Sequence, residues 1–212
     1  MRILTAIIVS CVLFAPITSA TSDGETLSER AALDSSNSLI EANKFTAAIK
    51  IVDGLIGRNP RLAEAFLNRG RALIGQEKYD SAISDFDEAI RLDPKLARAF
   101  ALRGVAWSLK GQLDRAISDY DQAIHLDSKD SNSFALRGIA WWEKGELDRA
   151  ISDFDATIRL DPKDARGYIN RGDAWKSKGD LDRAISDFDE AIRLDPQNTY
   201  TFKNRGYAWQ RK

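Results

Sequence analysis

Cysteine, histidine and methionine are almost missing from these 212 residues: Cys11, His125 and Met1 are the only examples of each. A lone histidine and a lone cysteine exclude histidine- or thiol-based zinc sites, Cys/His nucleophilic pairs and a disulfide framework. An excess of charge of either sign is missing too. With 31 basic and 32 acidic residues the formal net charge is −1, so nothing draws the chain as a whole to nucleic acid or an anionic membrane. No apolar run reaches the roughly 20 residues of a membrane-spanning helix, and no segment alternates with the period of two that marks a half-buried strand. Phosphate-loop and nucleophile-elbow motifs are absent. The stretch from Asp180 begins like a calcium loop, but Ala184, Ile185 and Ala191 stand where a ligand, the glycine and the closing glutamate belong. We therefore expect no catalysis, no cofactor, no metal and no nucleic-acid partner.

The longest apolar run, Ile3 to Ala15, follows Arg2, is broken by Pro16 and leads into Thr18-Ser19-Ala20. A positive start, a short apolar core and a small-residue site predict a secretory signal peptide over residues 1–20. Ile8-Val9-Ser10-Cys11 loosely resembles a lipid-attachment motif, yet the apolar run continues past Cys11, which argues against that use. Cleavage after Ala20 gives a cysteine-free chain without stable membrane insertion, which suits an oxidising compartment such as a bacterial periplasm.

What is present in abundance is repetition. Pro60, Pro94, Pro162 and Pro196 fall on one 34-residue register, as do Gly70, Gly104, Gly138, Gly172 and Gly206, and Ala82, Ala116, Ala150 and Ala184. "DRAISDFD" occurs at 148–155 and again at 182–189. Each period holds two helical patterns. Phe100, Gly104 and Trp107 share one face of the first, which Gly111 ends; Ala116, Tyr120, Ala123 and Ile124 form the stripe of the second.

A small residue at unit position 8, a large one at 11, glycine at 15, alanine at 20, an aromatic at 24, alanine at 27 and proline at 32 resemble the tetratricopeptide repeat. Phe66, Gly70, Leu73, Ala82, Phe86, Ala89 and Pro94 show the pattern, as do Tyr168, Gly172, Trp175, Gly179, Ala184, Phe188, Ala191 and Pro196. The resemblance implies an all-α, right-handed superhelical solenoid of antiparallel helix pairs. After a linker at 21–28, five units span 29–62, 63–96, 97–130, 131–164 and 165–198, with a half-repeat or capping helix at 199–212. The first is atypical, with Ser36, Val52 and Leu55 at signature positions.

Two polar columns recur with the same period. Arg69, Arg103, Arg137, Arg171 and Arg205 occupy position 7, commonly leucine in that family, and a half-buried guanidinium needs a partner. Asp85, Asp119, Asp153 and Asp187 are the expected ones. The acids two apart in "DRAISDFD" point about 200° away from each other on a helix and cannot converge on a metal or a scissile bond. We expect them to pair along their own helix, Arg149 with Asp153, Arg183 with Asp187, Asp155 with Arg159 and Asp189 with Arg193, at about 0.2–0.5 kcal/mol each.

Stacking explains what repeats, so a ligand is to be sought where the repeat is broken. The resemblance implies a concave groove lined by positions 2, 5, 9, 12 and 13 of the first helices. Residue by residue this gives an apolar floor of Ala101, Val105, Leu109, Ala135, Ile139 and Trp142, rimmed by Arg71, Arg98, Glu143 and Arg166, with Asp173 and Lys176 beyond. Trp107, Trp141, Trp175 and Trp209 take core position 11; Trp142 is one residue on, a candidate anchor for a protein or peptide ligand. Two rival readings remain: envelope-polysaccharide or cell-wall processing by the groove acids Glu143 and Asp173, and a structural spacer in an envelope complex. The Lys, Asn and Arg clamp with which some relatives grip terminal carboxylates has only scattered counterparts, Asn37, Asn68 and Arg98.

Overall fold

The computed structural model describes residues 26–212, so the expected signal peptide lies outside the described residues. Eleven helices and no strand occur among them: α1 (Leu27–Glu41), α2 (Phe45–Arg58), α3 (Ala63–Gly75), α4 (Tyr79–Leu92), α5 (Ala97–Leu109), α6 (Leu113–Leu126), α7 (Ser131–Glu143), α8 (Leu147–Leu160), α9 (Ala165–Lys178), α10 (Leu181–Leu194) and α11 (Thr199–Arg211). The described chain divides between Leu126 and Asp127 into two compact units. Both are built the same way, by a first helix, a tight turn, a second helix and a longer turn. No described helix is long and apolar enough to cross a membrane.

The local reasons are legible residue by residue. In α4 the buried positions Ala82, Ile83, Phe86 and Ala89 recur at three- and four-residue steps, one stripe of a helix. Gly111, Gly145 and Gly179 end the helices before them at φ of +74°, +82° and +88°, the left-handed region glycine enters freely. Asn43 and Glu77 adopt the same conformation in their own units. Asp130, Asp164 and Asn198 cap the next first helices by accepting backbone N–H groups from their first turns.

Packing within a pair turns on a ring against a glycine. Phe86, Tyr120, Phe154 and Phe188 are buried, and a Cβ placed on Gly70, Gly104, Gly138 or Gly172 would lie 2.5–2.8 Å from the ring of the same pair. Only a residue without a side chain admits this approach. Each buried ring contributes about 1.5–3 kcal/mol. In the first unit α2 and α4 both pack on α3, and α4 and α6 on α5; in the second, α8 packs on α7 and α9, and α10 on α9 and α11. First helices also adjoin one another, α1 with α3, α3 with α5, α7 with α9 and α9 with α11.

The arginine column is paired as expected. Arg69 donates Nε and Nη2 to Asp85 at 2.8 and 2.8 Å, Arg103 to Asp119 at 2.9 and 2.6 Å, Arg137 to Asp153 at 2.9 and 2.7 Å, and Arg171 to Asp187 at 2.9 and 2.7 Å. The pairing expected along the second helices is not what forms. Asp155 and Asp189 accept instead from Nη1 of Arg171 and Arg205, both at 2.6 Å, as Asp53 and Asp87 do from Arg69 and Arg103 at 2.8 and 2.6 Å. Arg193 turns to Glu190, and Arg149 and Arg183 stack on Trp141 and Trp175 at 4.6 and 4.5 Å. An exposed i,i+4 pair is worth a few tenths of a kcal/mol, whereas a two-pronged guanidinium–carboxylate contact shielded from water is among the stronger polar interactions.

That stacking corrects a second expectation. Trp107, Trp141 and Trp175 are half-buried rather than core, each held between a lysine and an arginine, and Trp209 is 56% exposed. We predict that Asp187→Ala, which strands the Arg171 fork, costs roughly 2–4 kcal/mol in urea unfolding. Replacing Arg171 and Asp187 together by leucine should lose far less. A double-variant loss equal to the sum of the losses of Arg171→Leu and Asp187→Leu alone would show that the pair carries no coupling.

Candidate functional site

Positions of the first helices that vary from repeat to repeat include several on α7, α9 and α11 of the second unit. Position 12 carries Trp142 and Lys176 there, position 13 Glu143 and Ser177, position 9 Ile139 and Asp173, and position 2 Arg166 and Tyr200; position 6 holds Asn204, as it holds Asn68 and Asn170 in other repeats. Their side chains form one hydrogen-bonded chain across the three helices. The Trp142 indole N–H donates to Ser177 Oγ at 3.0 Å, and Ser177 Oγ donates to the Asp173 carbonyl at 2.9 Å. Tyr200 Oη donates to Asp173 Oδ2 at 2.7 Å, and Lys176 Nζ to Asp173 Oδ1 at 2.5 Å and Asn204 Oδ1 at 2.6 Å. Asn204 closes the set by donating to the Tyr200 carbonyl at 2.9 Å.

Burial sorts these groups by role. Asp173 is only 5% exposed and each of its carboxylate oxygens holds a donor. It is thus an organising centre, and the open groove acid expected from the sequence is not found at this position. Trp142 and Lys176 are half-buried and Glu143 is exposed. Ile139, expected on the floor, is buried at 7% exposure. Arg166 is exposed and ion-pairs with Asp164 at 2.6 Å. Burial, reinforced by the negative charge of Asp173, pushes the Tyr200 phenol well above its ordinary value, so it keeps its proton to a higher pH than an exposed phenol does.

In the first unit the expected site residues behave differently. Arg71 is not on a rim: its side chain is wholly buried, donating to Asn37 at 2.7 Å, while Asn68 donates to Ser36 at 2.9 Å. Desolvation, with the nearby charge of Arg98 second, lowers the Arg71 guanidinium to about 10. Val105 is wholly buried, Leu109 and Arg98 half-buried. Sequence reasoning placed all of these on the first helices but missed Tyr200 and Asn204. The groove map, carried into the last half-repeat, would have found Tyr200 at position 2, whereas Asn204 stands at position 6, outside the mapped positions.

No group of three or more potential ligands able to hold a metal occurs among the described residues. Chemically the α7–α9–α11 face offers an indole, an ammonium, an amide and a phenol in fixed relation. It suits recognition of a chain carrying both polar main-chain groups and side chains.

A family model described as tetratricopeptide repeat matches residues 33–96, 67–131 and 135–199. No curated protein matches the sequence. Similar solved structures include YrrB, described as a TPR protein with an unusual peptide-binding site (23% identical, 82% of this chain and 90% of that one, TM-score 0.66). TTC0263 of Thermus thermophilus, described as a thermophilic TPR protein, is 17% identical over 85% of this chain and 98% of that one, with a TM-score of 0.72. MamA from Desulfovibrio magneticus is 18% identical over 80% and 96%, with a TM-score of 0.69. At these identities the likeness concerns the fold alone.

Tyr200 provides a direct check on the network. Its raised value means that its contribution to stability is complete below the ordinary phenol range near pH 10 and is lost as pH climbs above it. Ultraviolet titration of the five tyrosines should therefore show a late-ionising class, and Tyr200→Phe should remove one phenol from it. A variant that instead removes an ordinary phenol would disprove the Asp173 contact.

Proposed function

Because the chain belongs to the tetratricopeptide repeat family, we propose that it is a non-catalytic scaffold that binds a protein or peptide on the face of its first helices, centred on Trp142. One observation carries the reading. Trp142, Asp173, Lys176, Ser177 and Tyr200, which break the 34-residue period on α7, α9 and α11, are joined with Asn204 in a single network. Stacking does not require them, for the other pairs stack without them. The network fixes the rotamers of Trp142, Lys176 and Tyr200 before a ligand arrives, which lowers the entropic cost of binding. The peptide-binding site attributed to YrrB is in keeping with such a use of the fold. Burial of Asp173 with a donor on each carboxylate oxygen weighs against its part in the rival reading, in which groove acids perform chemistry.

The second half of the proposal concerns place. Residues 1–20 have the three-part pattern of a signal peptide, and we propose export to a bacterial periplasm with cleavage after Ala20. N-terminal sequencing of protein recovered from that compartment should begin at Thr21; recovery of an intact Met1 terminus only from the cytoplasm would overturn it.

Partner binding is tested by panning a random peptide library against the immobilised protein. Enriched peptides should bind Trp142→Ala and Lys176→Ala on the order of tenfold more weakly, the usual loss at a central anchor, with far-UV circular dichroism unchanged. Undiminished binding by both variants would remove this face from the function.

A further inference from the structure

Four of the five tryptophans lie beneath cations of this chain. Lys110 and Arg115 cover Trp107 at 5.7 and 4.7 Å, Lys144 and Arg149 cover Trp141 at 5.6 and 4.6 Å, Lys178 and Arg183 cover Trp175 at 5.7 and 4.5 Å, and Lys212 stands 5.1 Å from Trp209. Among the described residues no cation lies over Trp142. Its indole N–H is tied to Ser177 Oγ at 3.0 Å, which fixes the ring, and the side chain is half-buried rather than enclosed. Glu143 follows it, exposed and in no ion pair among the described residues. The two are the last residues of α7, the end at which a helix dipole is negative and favours a cation.

Cations close by are already engaged. On α7 and α9, Arg137 holds Asp153, Arg166 holds Asp164, Arg171 holds Asp187, Lys176 holds Asp173 and Lys178 holds Asp148. Lys144, just beyond α7, lies over Trp141. Lys203 and Arg211 belong to α11, two helices away, which is on the order of 20 Å at the usual spacing of packed helices. That exceeds the reach of about 10 Å that an exposed charge has in about 0.1 M salt. Thr21-Ser22-Asp23-Gly24-Glu25, which precede the described residues, contain no base. The place over Trp142 and beside Glu143 thus suits a cation that α7 and α9 do not supply. The chain's own usage singles out the guanidinium: Arg69, Arg103 and Arg171 lie over Phe66, Phe100 and Tyr168 while each bonds two carboxylates. A planar guanidinium stacks on a ring and meets a carboxylate edge-on at once, and an ammonium lacks that fork. We infer that Trp142 and Glu143 receive an arginine side chain of the bound protein or peptide, its guanidinium stacked on the indole and ion-paired with the carboxylate; this rests on the peptide-binding reading of the face and specifies the side chain it takes.

The probe is a fluorescein-labelled peptide enriched by panning a random library on the immobilised full chain, with its Kd read by fluorescence anisotropy in about 0.15 M salt. Enriched sequences should share an arginine. Replacing that arginine by citrulline, its neutral isostere, should weaken binding about five- to tenfold, and lysine in its place should bind less tightly than arginine. Glu143→Gln should cost a similar factor with the arginine peptide and much less with the citrulline peptide, since the two changes remove one contact. Glu143 is exposed, so thermal unfolding of this variant should match the parent. Peptides that need Trp142 but share no arginine, that bind as tightly with lysine, or that bind Glu143→Gln equally well would overturn the arginine pocket and leave the peptide site standing. Peptides whose binding survives Trp142→Ala undiminished, or a library that yields no enriched peptide, would remove the site and the arginine with it.

Discussion

The structure depends on one guanidinium serving two carboxylates. Each position-7 arginine lies over an aromatic ring three residues before it, at 5.5 Å for Arg69 on Phe66 and 5.8 Å for Arg171 on Tyr168. From there Arg69, Arg103 and Arg171 each reach an aspartate sixteen residues ahead with two nitrogens and another sixteen residues behind with the third. The forward contact closes a helix pair, and the backward contact fastens that pair to the one before it. Lysine could not do both, for its three donors radiate from one point and lack the planar fork that meets a carboxylate edge-on. The paired carboxylates raise these arginines above their already high ordinary values, the two-pronged partner contributing most. The charges are thus retained although the side chains are mostly shielded.

This arrangement gives a physical meaning to the spacing of acids in "SDFD". Two residues on a helix are separated by about 200°, which forbids a shared metal or a catalytic pair. The same angle lets one helix present an acid to each of two neighbours: Asp85 accepts from Arg69 of its own pair, while Asp87 accepts from Arg103 of the next. Between them Phe86 enters the slot over Gly70. Three consecutive residues therefore make three different contacts, and a substitution at any of them disturbs a distinct joint.

The 34-residue register, the helix pairs, the glycine turns and the forward Arg–Asp contact were all legible in the sequence, because each is a constraint that recurs and is imposed by nearest neighbours. The backward contact was not. A rule about residues four apart is local to one helix, and it gave Asp155 to Arg159 when the stronger donor, Arg171, comes from a different helix. The position-11 tryptophans were misread for a related reason: a family pattern records size, and it does not record that Lys178 and Arg183 stack on Trp175 and hold it half out of the core. Arg71 was assigned to a rim by its position, yet Asn37 and Asn68 offer oxygens that allow it to be buried.

Repetition and its breach divide the labour of the chain. Joints made by Arg, Asp, Gly and aromatic residues are the same from pair to pair, so their energies add approximately as nearest-neighbour terms. They tolerate wide variation on the surfaces they do not use. The first-helix face of α7, α9 and α11 uses that freedom. Its residues differ from helix to helix, and they bind one another across helices that the repeating joints have already aligned. An array of this kind also has a direction, since Arg69, Arg103 and Arg171 each send a fork to the helix that follows and a single Nη1 contact to the second helix behind. Arg205 on α11 repeats the backward contact, donating Nη1 to Asp189.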